Sequence, residues 1–351
     1  MAGETRAKVI PLRTTTGRTT AQRRAGQRTD ASRRHPSTLS DPGARESAER
    51  IASMVRDIDQ RRGAPGTDVP LNNLAQRVAA VAEFLRQRLT GDYSVDEFGF
   101  DPHFTNAIAR PLLRFFFKSW FRVEVSGIEN VPSIGAALVV ANHAGVLPFD
   151  GLMASIAVHD KHPAHRDLRL LGADMVFGLP VIGTAARKTG CTMACVTDAH
   201  RLLSAGELTA VFPEGYKGLG KNFKDRYRLQ RFGRGGFVSA ALRTKAPIVP
   251  CSIVGSEEIY PMLADVKLLA RLLNVPYFPV TPLFPLAGPA GLVPLPSKWH
   301  IAFGEPIATA GYQSGDADDP MVTFDLTDQV RETIQQMLYR SLAGRRNIFF
   351  G

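Results

Sequence analysis

A chain of 351 residues that is 44% apolar has room for a sizeable α/β core, and its three cysteines, Cys191, Cys195 and Cys251, form neither a disulfide framework nor a paired metal-ligand pattern. The formal net charge of +10 is concentrated at the start, where residues 1–40 hold nine Lys/Arg against two acids. No stretch reaches the roughly 18 apolar residues of a spanning helix and no apolar leader opens the chain, so the composition points to a reducing, cytoplasmic compartment and restricts any membrane role to a peripheral one.

Residues 1–68 are rich in Arg, Thr, Ser, Gly and Pro without a sustained apolar period, the composition of a disordered basic tail. Nucleic-acid binding would rest on this tail alone, and a solubilising role fits it equally well. Residues 69–122 read as N-terminal amphipathic helices. In the first, Leu71, Leu74, Val78, Val81, Leu85 and Leu89 recur at three- and four-residue steps before Gly91. The second spans Phe104–Arg122, with Arg110, Arg114, Lys118 and Arg122 four apart on one stripe and Phe115, Phe116, Phe117 and Trp120 on the rest of the circumference. That segregation suits a helix lying in a membrane interface, with rings below the headgroups and cations at the phosphates. A core helix with one solvated face carries the same period. Pro111 should kink or divide it.

Residues 123–351 then alternate short apolar runs with helical stretches. Val123–Gly127, Ala136–Asn142, Leu168–Ala173, Cys191–Cys195, Leu208–Phe212, Ile248–Gly255 and Lys298–Gly304 read as strands. Helices are expected from Asp150 to Ile156, over Arg201–Ala205, and through Leu326, Val330, Ile334, Met337 and Leu338. The expected fold is α/β, with a single mixed, largely parallel sheet flanked by helices. Residues 276–296 are apolar but too proline-rich for helix or central strand, so they should form a loop covered by the protein or by lipid.

Two constellations sit at strand ends. The first is Asn142-His143 followed by Gly145, Pro148 and Asp150. A histidine can take a proton near neutral pH and return it, and a carboxylate on its second nitrogen fixes the tautomer and steadies the imidazolium. On one continuous helix the pair would stand roughly 10 Å apart, so a loop must fold them together. The second is Phe212-Pro213-Glu214-Gly215, with Lys217 and Lys221 beside it in a glycine-rich turn suited to an anionic group. No Gly-x-Ser-x-Gly elbow is present to suggest a serine hydrolase, and GRGGF at Gly233 is misplaced for a nucleotide fingerprint.

The order Asn142-His143 with Asp150, then Phe212-Pro213-Glu214-Gly215, then Ile248-Val249-Pro250 resembles the glycerolipid acyltransferases of the 1-acylglycerol-3-phosphate acyltransferase superfamily, over roughly Val123 to Ile307. The run from Tyr227 to Pro250 is similar to a branch that includes neutral-lipid acyltransferases. The resemblance implies that His143 acts as general base on an acceptor hydroxyl, oriented by Asp150, and that the hydroxyl attacks the thioester of acyl-CoA. It needs no cofactor or metal beyond that co-substrate. By the same resemblance Glu214 and Gly215 help bind the acceptor; Asn142, Phe212, Pro213 and Pro250 of the matched motifs and the neighbouring Lys217 and Lys221 are the further candidate substrate-binding residues. Two departures stand out: six residues rather than four separate His143 from Asp150, so the extra two should bulge outward, and the family's phosphate-holding arginine is missing near Val196. Arg187, Lys188 and Arg201 are out of register, which admits either an acceptor without that phosphate, such as a mono- or diacylglycerol, or one with a larger headgroup, so the acceptor is a lysophospholipid or a mono- or diacylglycerol. A non-catalytic lipid-binding or scaffold protein on the same fold is the competing reading.

Overall fold

In the computed structural model of the chain, the described residues are 8–10, 82–83, 85–86 and 93–351 apart from 234 and 314. The basic tail and the Leu71–Leu89 helix therefore fall outside the described residues, save for a strand at Lys8–Ile10 and helical residues 82–83 and 85–86. The chain divides into two compact units, the larger of which contains Asp96–Gly351 and the whole main sheet.

Seven strands build that sheet: β1 (Glu124–Ser126), β2 (Ala137–Ala141), β3 (Leu168–Gly172), β4 (Thr192–Met193), β5 (Leu208–Val211), β6 (Ile248–Val254) and β7 (His300–Phe303). Their order is β1-β7-β6-β2-β5-β3-β4, and every pair is parallel except β6 with β7. The sheet is thus mixed and largely parallel, as the alternation implies. Its two central strands, β2 and β6, are buried along their whole length, which is why they read as continuous apolar runs rather than alternating ones.

Alternate residues of β2 feed two cores. Val139 and Ala141 face a layer made by α1 (residues 102–120) and α2 (Phe149–Lys161), with Met153, Ile156, Phe121 and Trp299 at its centre. Leu138 and Val140 face the opposite layer, made by α3 (Val196–Ser204), α4 (Gly236–Thr244) and α5 (Pro320–Ala343). Three helices run longer than the stretches the sequence marks. α3 carries Arg201–Ser204, as expected, with Ala205 as its C-cap, and begins at Val196, where Cys195 Sγ caps the Asp198 N–H. α2 and α5 extend well beyond their apolar markers. α4 has no counterpart in the sequence reading; it opens on Gly235-Gly236 and is only nine residues long.

α1 does not break at Pro111. It continues with helical backbone through Ala109, Arg110 and Phe116, and a π-helical turn at Thr105–Ala109 lies directly before the proline. Widening the turn there makes room for a ring that would otherwise meet the carbonyl one turn back. The basic stripe of α1 also departs from the interface expectation. Arg110 is buried and pairs with Asp167, and Arg114 holds Asp160 at 2.6 Å from Nη2 and 2.8 Å from Nε. These guanidiniums face α2 and the loop after it. Ile108, Leu112 and Phe115 are the exposed apolar face instead, while Phe117 and Phe121 enter the core.

Candidate active site

Strands β2 and β5 are hydrogen-bonded neighbours running the same way, with Val140 opposite Val211, so their carboxyl ends deliver His143 and Glu214 to one edge of the sheet. The side chain of His143 is 11% exposed and that of Asp150 is fully buried. His143 Nδ1 lies 2.7 Å from Asp150 Oδ2. Asp150, in the first turn of α2, also accepts the N–H of Ala144 at 2.9 Å and that of its neighbour Gly151 at 2.8 Å. A carboxylate only accepts, so Nδ1 carries the proton and Nε2 keeps a free lone pair. That is the tautomer a general base requires.

Of the six intervening residues Ala144, Gly145 and Val146 fold inward, and Pro148 alone is exposed. Gly145 and Val146 both take positive φ, +96° and +61°. A Cβ on Gly145 would overlap the Ser256 carbonyl, so the loop is pressed against the turn after β6. Val146 is buried in the core; its N–H donates to Leu219 O at 3.2 Å and its carbonyl accepts the Tyr277 hydroxyl. Burial first, and the Asp150 charge second, push the Tyr277 phenol up, keeping it a neutral donor at that loop.

Glu214 is held among protein groups. Its Oε1 accepts the His143 N–H at 2.9 Å, and Oε2 accepts the Gln230 N–H at 2.6 Å beside Lys221 Nζ at 3.4 Å. Lys221 Nζ reaches Glu257 Oε1 at 3.2 Å as well, and the Tyr227 N–H donates to that same oxygen at 2.8 Å. Burial pushes the Glu257 carboxyl up to about 7, against the pull of Lys221. The Phe212 ring lies 4.7 Å from the imidazole, centroid to centroid. Gly218 passes so close to the His143 backbone that a Cβ would overlap its carbonyl.

A family model described as Acyltransferase matches residues 122–254, a span that contains both constellations and all of β6. The chain belongs to the acyltransferase family. Over 356 aligned residues it is 80% identical to an uncharacterized protein of Mycobacterium tuberculosis, covering 100% of this chain and 99% of that one. The human protein named DGAT1/2-independent enzyme synthesizing storage lipids is 25% identical over 226 residues, 62% of this chain and 61% of its own. Among solved structures, the 1-acyl-sn-glycerophosphate acyltransferase PlsC of Thermotoga maritima is similar at a TM-score of 0.43 and 17% identity, over 67% of this chain and 80% of that one.

The His143–Asp150 pair matches the catalytic His/Asp dyad typical of this acyltransferase family. Other residues singled out in the sequence fall in varied places. Asn142 is fully buried and its amide joins the backbone of Ile253, accepting from N at 2.7 Å and donating to O at 3.0 Å. Pro250 sits within β6 opposite Val140, in the sheet interior. Gly215 adopts φ +56° and ψ −145°, open to glycine alone, and so turns the chain into the short helix Tyr216–Leu219. Lys217 is exposed on that helix, whereas the Lys221 side chain is 3% exposed and engaged by two carboxylates. The sequence reading missed Gln230, Glu257, Ser256 and Tyr277. No spacing rule joins them to His143, because each arrives from a distant element. Among the described residues no cluster of His, Cys, Asp or Glu could hold a metal ion.

Proposed function

We propose that this acyltransferase moves a fatty acyl group from acyl-CoA to a hydroxyl of a glycerolipid that it meets at a membrane surface. The observation that carries the chemistry is the 2.7 Å contact of His143 Nδ1 with a buried Asp150. His143 Nε2 takes the acceptor hydroxyl proton as its oxygen attacks the thioester carbonyl. The carbon–oxygen bond forms, the carbon–sulfur bond breaks, and the imidazolium returns the proton to the departing thiolate. Asp150 stabilises the imidazolium in between, and general-base assistance of this kind is worth roughly 10²–10⁴ in rate. The competing scaffold reading rested on an uncoupled base; at 2.7 Å the two groups are coupled.

The acceptor we favour is a mono- or diacylglycerol rather than a phosphate-bearing lysolipid. The three cations near the family's phosphate-holding position are committed elsewhere. Arg187 lies over Phe177 at 4.6 Å, Lys188 over Phe104 at 5.2 Å, and Arg201 pairs with Glu97. Val196 opens α3 with its own side chain exposed. The human relative's printed name, an enzyme synthesizing storage lipids, points the same way. Within the machinery Glu214, Gly215 and Lys221 shape the site by holding His143, and Phe212 packs beside its ring. Direct contact with ligand is assigned to Lys217, whose exposed position on the short helix after Gly215 supports that reading.

Contact with the membrane is peripheral in this reading, since no helix among the described residues is long and apolar enough to cross a bilayer. The surface offers apolar side chains instead. Leu268, Leu272 and Leu286 are 75%, 77% and 90% exposed, with Lys267 and Arg271 alongside the first two. Ile108, Leu112 and Phe115 line the outer face of α1. Basic and apolar groups together hold a protein on an anionic interface where neither suffices. The acceptor is tested by incubating full-length protein with acyl-CoA and a panel of lysophosphatidate, lysophospholipid, monoacylglycerol and diacylglycerol, with CoA release as readout. Release with the neutral acylglycerols is expected; release with lysophosphatidate alone would overturn the acceptor assignment.

A further inference from the structure

The mechanism makes no use of a cavity of about 510 Å³ beside the turn that follows β6. Five cations line it: Lys224, Arg226 and Arg228 from one side, Arg345 and Arg346 from the chain after α5. One carboxylate faces them, Glu258, and it is already engaged. It accepts the Tyr227 hydroxyl at 2.6 Å and Arg345 Nη1 at 2.7 Å. Arg226 lies over the Phe223 ring at 4.5 Å. Among the described residues no carboxylate pairs with Lys224, Arg228 or Arg346, and Asp225, beside them in sequence, does not line the cavity. Like charges crowded round a concavity raise the local potential and repel one another, and a ligand with several phosphate oxygens relieves both effects.

Two features narrow the ligand. Tyr339 presents an exposed aromatic side chain at the same cavity, and such rings stack nucleobases without regard to sequence. The turn Gly255–Glu258 links the cavity to the chemistry: the Ser256 carbonyl presses on Gly145 of the catalytic loop, and Glu258, two residues on, lines the cavity. Because β6 is parallel to β2, both lie outside the carboxyl ends of the strands, where open α/β sheets receive their ligands. We propose that this cavity seats the phosphorylated nucleotide end of the acyl-CoA donor, leaving the thioester end to reach His143. The proposal rests on acyl-CoA being the donor.

The test uses full-length protein and compares CoA with dephospho-CoA by calorimetry, then repeats the comparison in Arg228→Glu/Arg346→Glu. CoA should bind about tenfold more tightly than dephospho-CoA, a difference matching one charge-assisted phosphate contact. The double variant should lose that difference and raise KM for acyl-CoA by about tenfold, with KM for the acceptor unmoved, while Arg228→Lys/Arg346→Lys restores it. Equal binding of CoA and dephospho-CoA by the native protein would overturn the proposal without need of any variant. So would a double variant that keeps its CoA affinity but loses sedimentation with phosphatidylglycerol vesicles, which would assign the cavity to a lipid headgroup. Absence of any acyl transfer by the native protein would count against the proposed function instead, and the CoA comparison would still decide the cavity.

Discussion

Removing the Lys221 ammonium would leave Glu214 and Glu257 out of water on either side of an empty space, since both contact that one cation. Breaking a buried pair from one side costs about 3–5 kcal/mol, so Lys221→Met should lower the melting temperature markedly and take activity with it. An unchanged melt would show the network to be slack. Glu257 adds a pH dependence of definite sign. Its folded value of about 7 lies above a glutamate's ordinary 4.5, so the folded state binds the proton more tightly. Stability from this group is complete below about pH 4.5 and is lost as pH rises through about 7, by at most on the order of 3 kcal/mol. Glu257→Gln should flatten that part of the stability profile in denaturant titrations between pH 4.5 and 8. At this scale the dyad was legible through motif order, Asn142-His143 with Asp150 followed by Phe212-Pro213-Glu214-Gly215, and the resemblance that order carries; a histidine after a strand is by itself more often a structural polar residue. The surroundings of Glu214 were not legible. A carboxylate in a glycine-rich turn reads as ligand-facing until Gln230, Lys221 and the His143 N–H are seen to converge on it.

Helix α1 shows why a correct period can still be read with the wrong face outward. Arg110 and Arg114 lie four apart, as solvated cations would, yet Asp167 and Asp160 wait for them on the protein side. Those acids belong to α2 and the loop after it, about which the α1 sequence holds no information. Strand positions were legible because apolar runs of that length bounded by glycine or proline permit little else, whereas α4 escaped notice behind its glycine start. The corrected orientation changes which residues should govern membrane attachment. Phe116 and Trp120 pack on the core, and Trp120 Nε1 donates to Pro294 O at 2.9 Å, so Phe116→Ser/Trp120→Ser should destabilise the fold. Leu112→Ser/Phe115→Ser and Leu268→Ser/Leu272→Ser remove exposed side chains, and should release protein from anionic vesicles with melting temperatures within about 2 °C of native. Undiminished sedimentation by both of these pairs would take lipid contact away from these faces.

Across the whole molecule, two motifs some seventy residues apart become one site because β2 and β5 are parallel neighbours. Alternation of strands and helices made a largely parallel sheet foreseeable; the antiparallel turn-back of β7 between β6 and β1 was not, since it depends on the route taken through residues 255–299. That excursion supplies Ser256 to the catalytic loop, Tyr277 to Val146, and the leucines at 268, 272 and 286 to the surface. One connection thus joins the base, its loop and the face we assign to the bilayer. The central claim, that His143 is the base of an acyl transfer oriented by Asp150, is tested most directly by thiol-detected CoA release from acyl-CoA in the presence of diacylglycerol. Native protein, His143→Ala and Asp150→Asn are compared at matched folded concentration. The account predicts acceptor-dependent release by native protein, a fall of roughly 10²–10⁴ in kcat for His143→Ala, and a severe loss for Asp150→Asn. Near-native turnover by His143→Ala would contradict it.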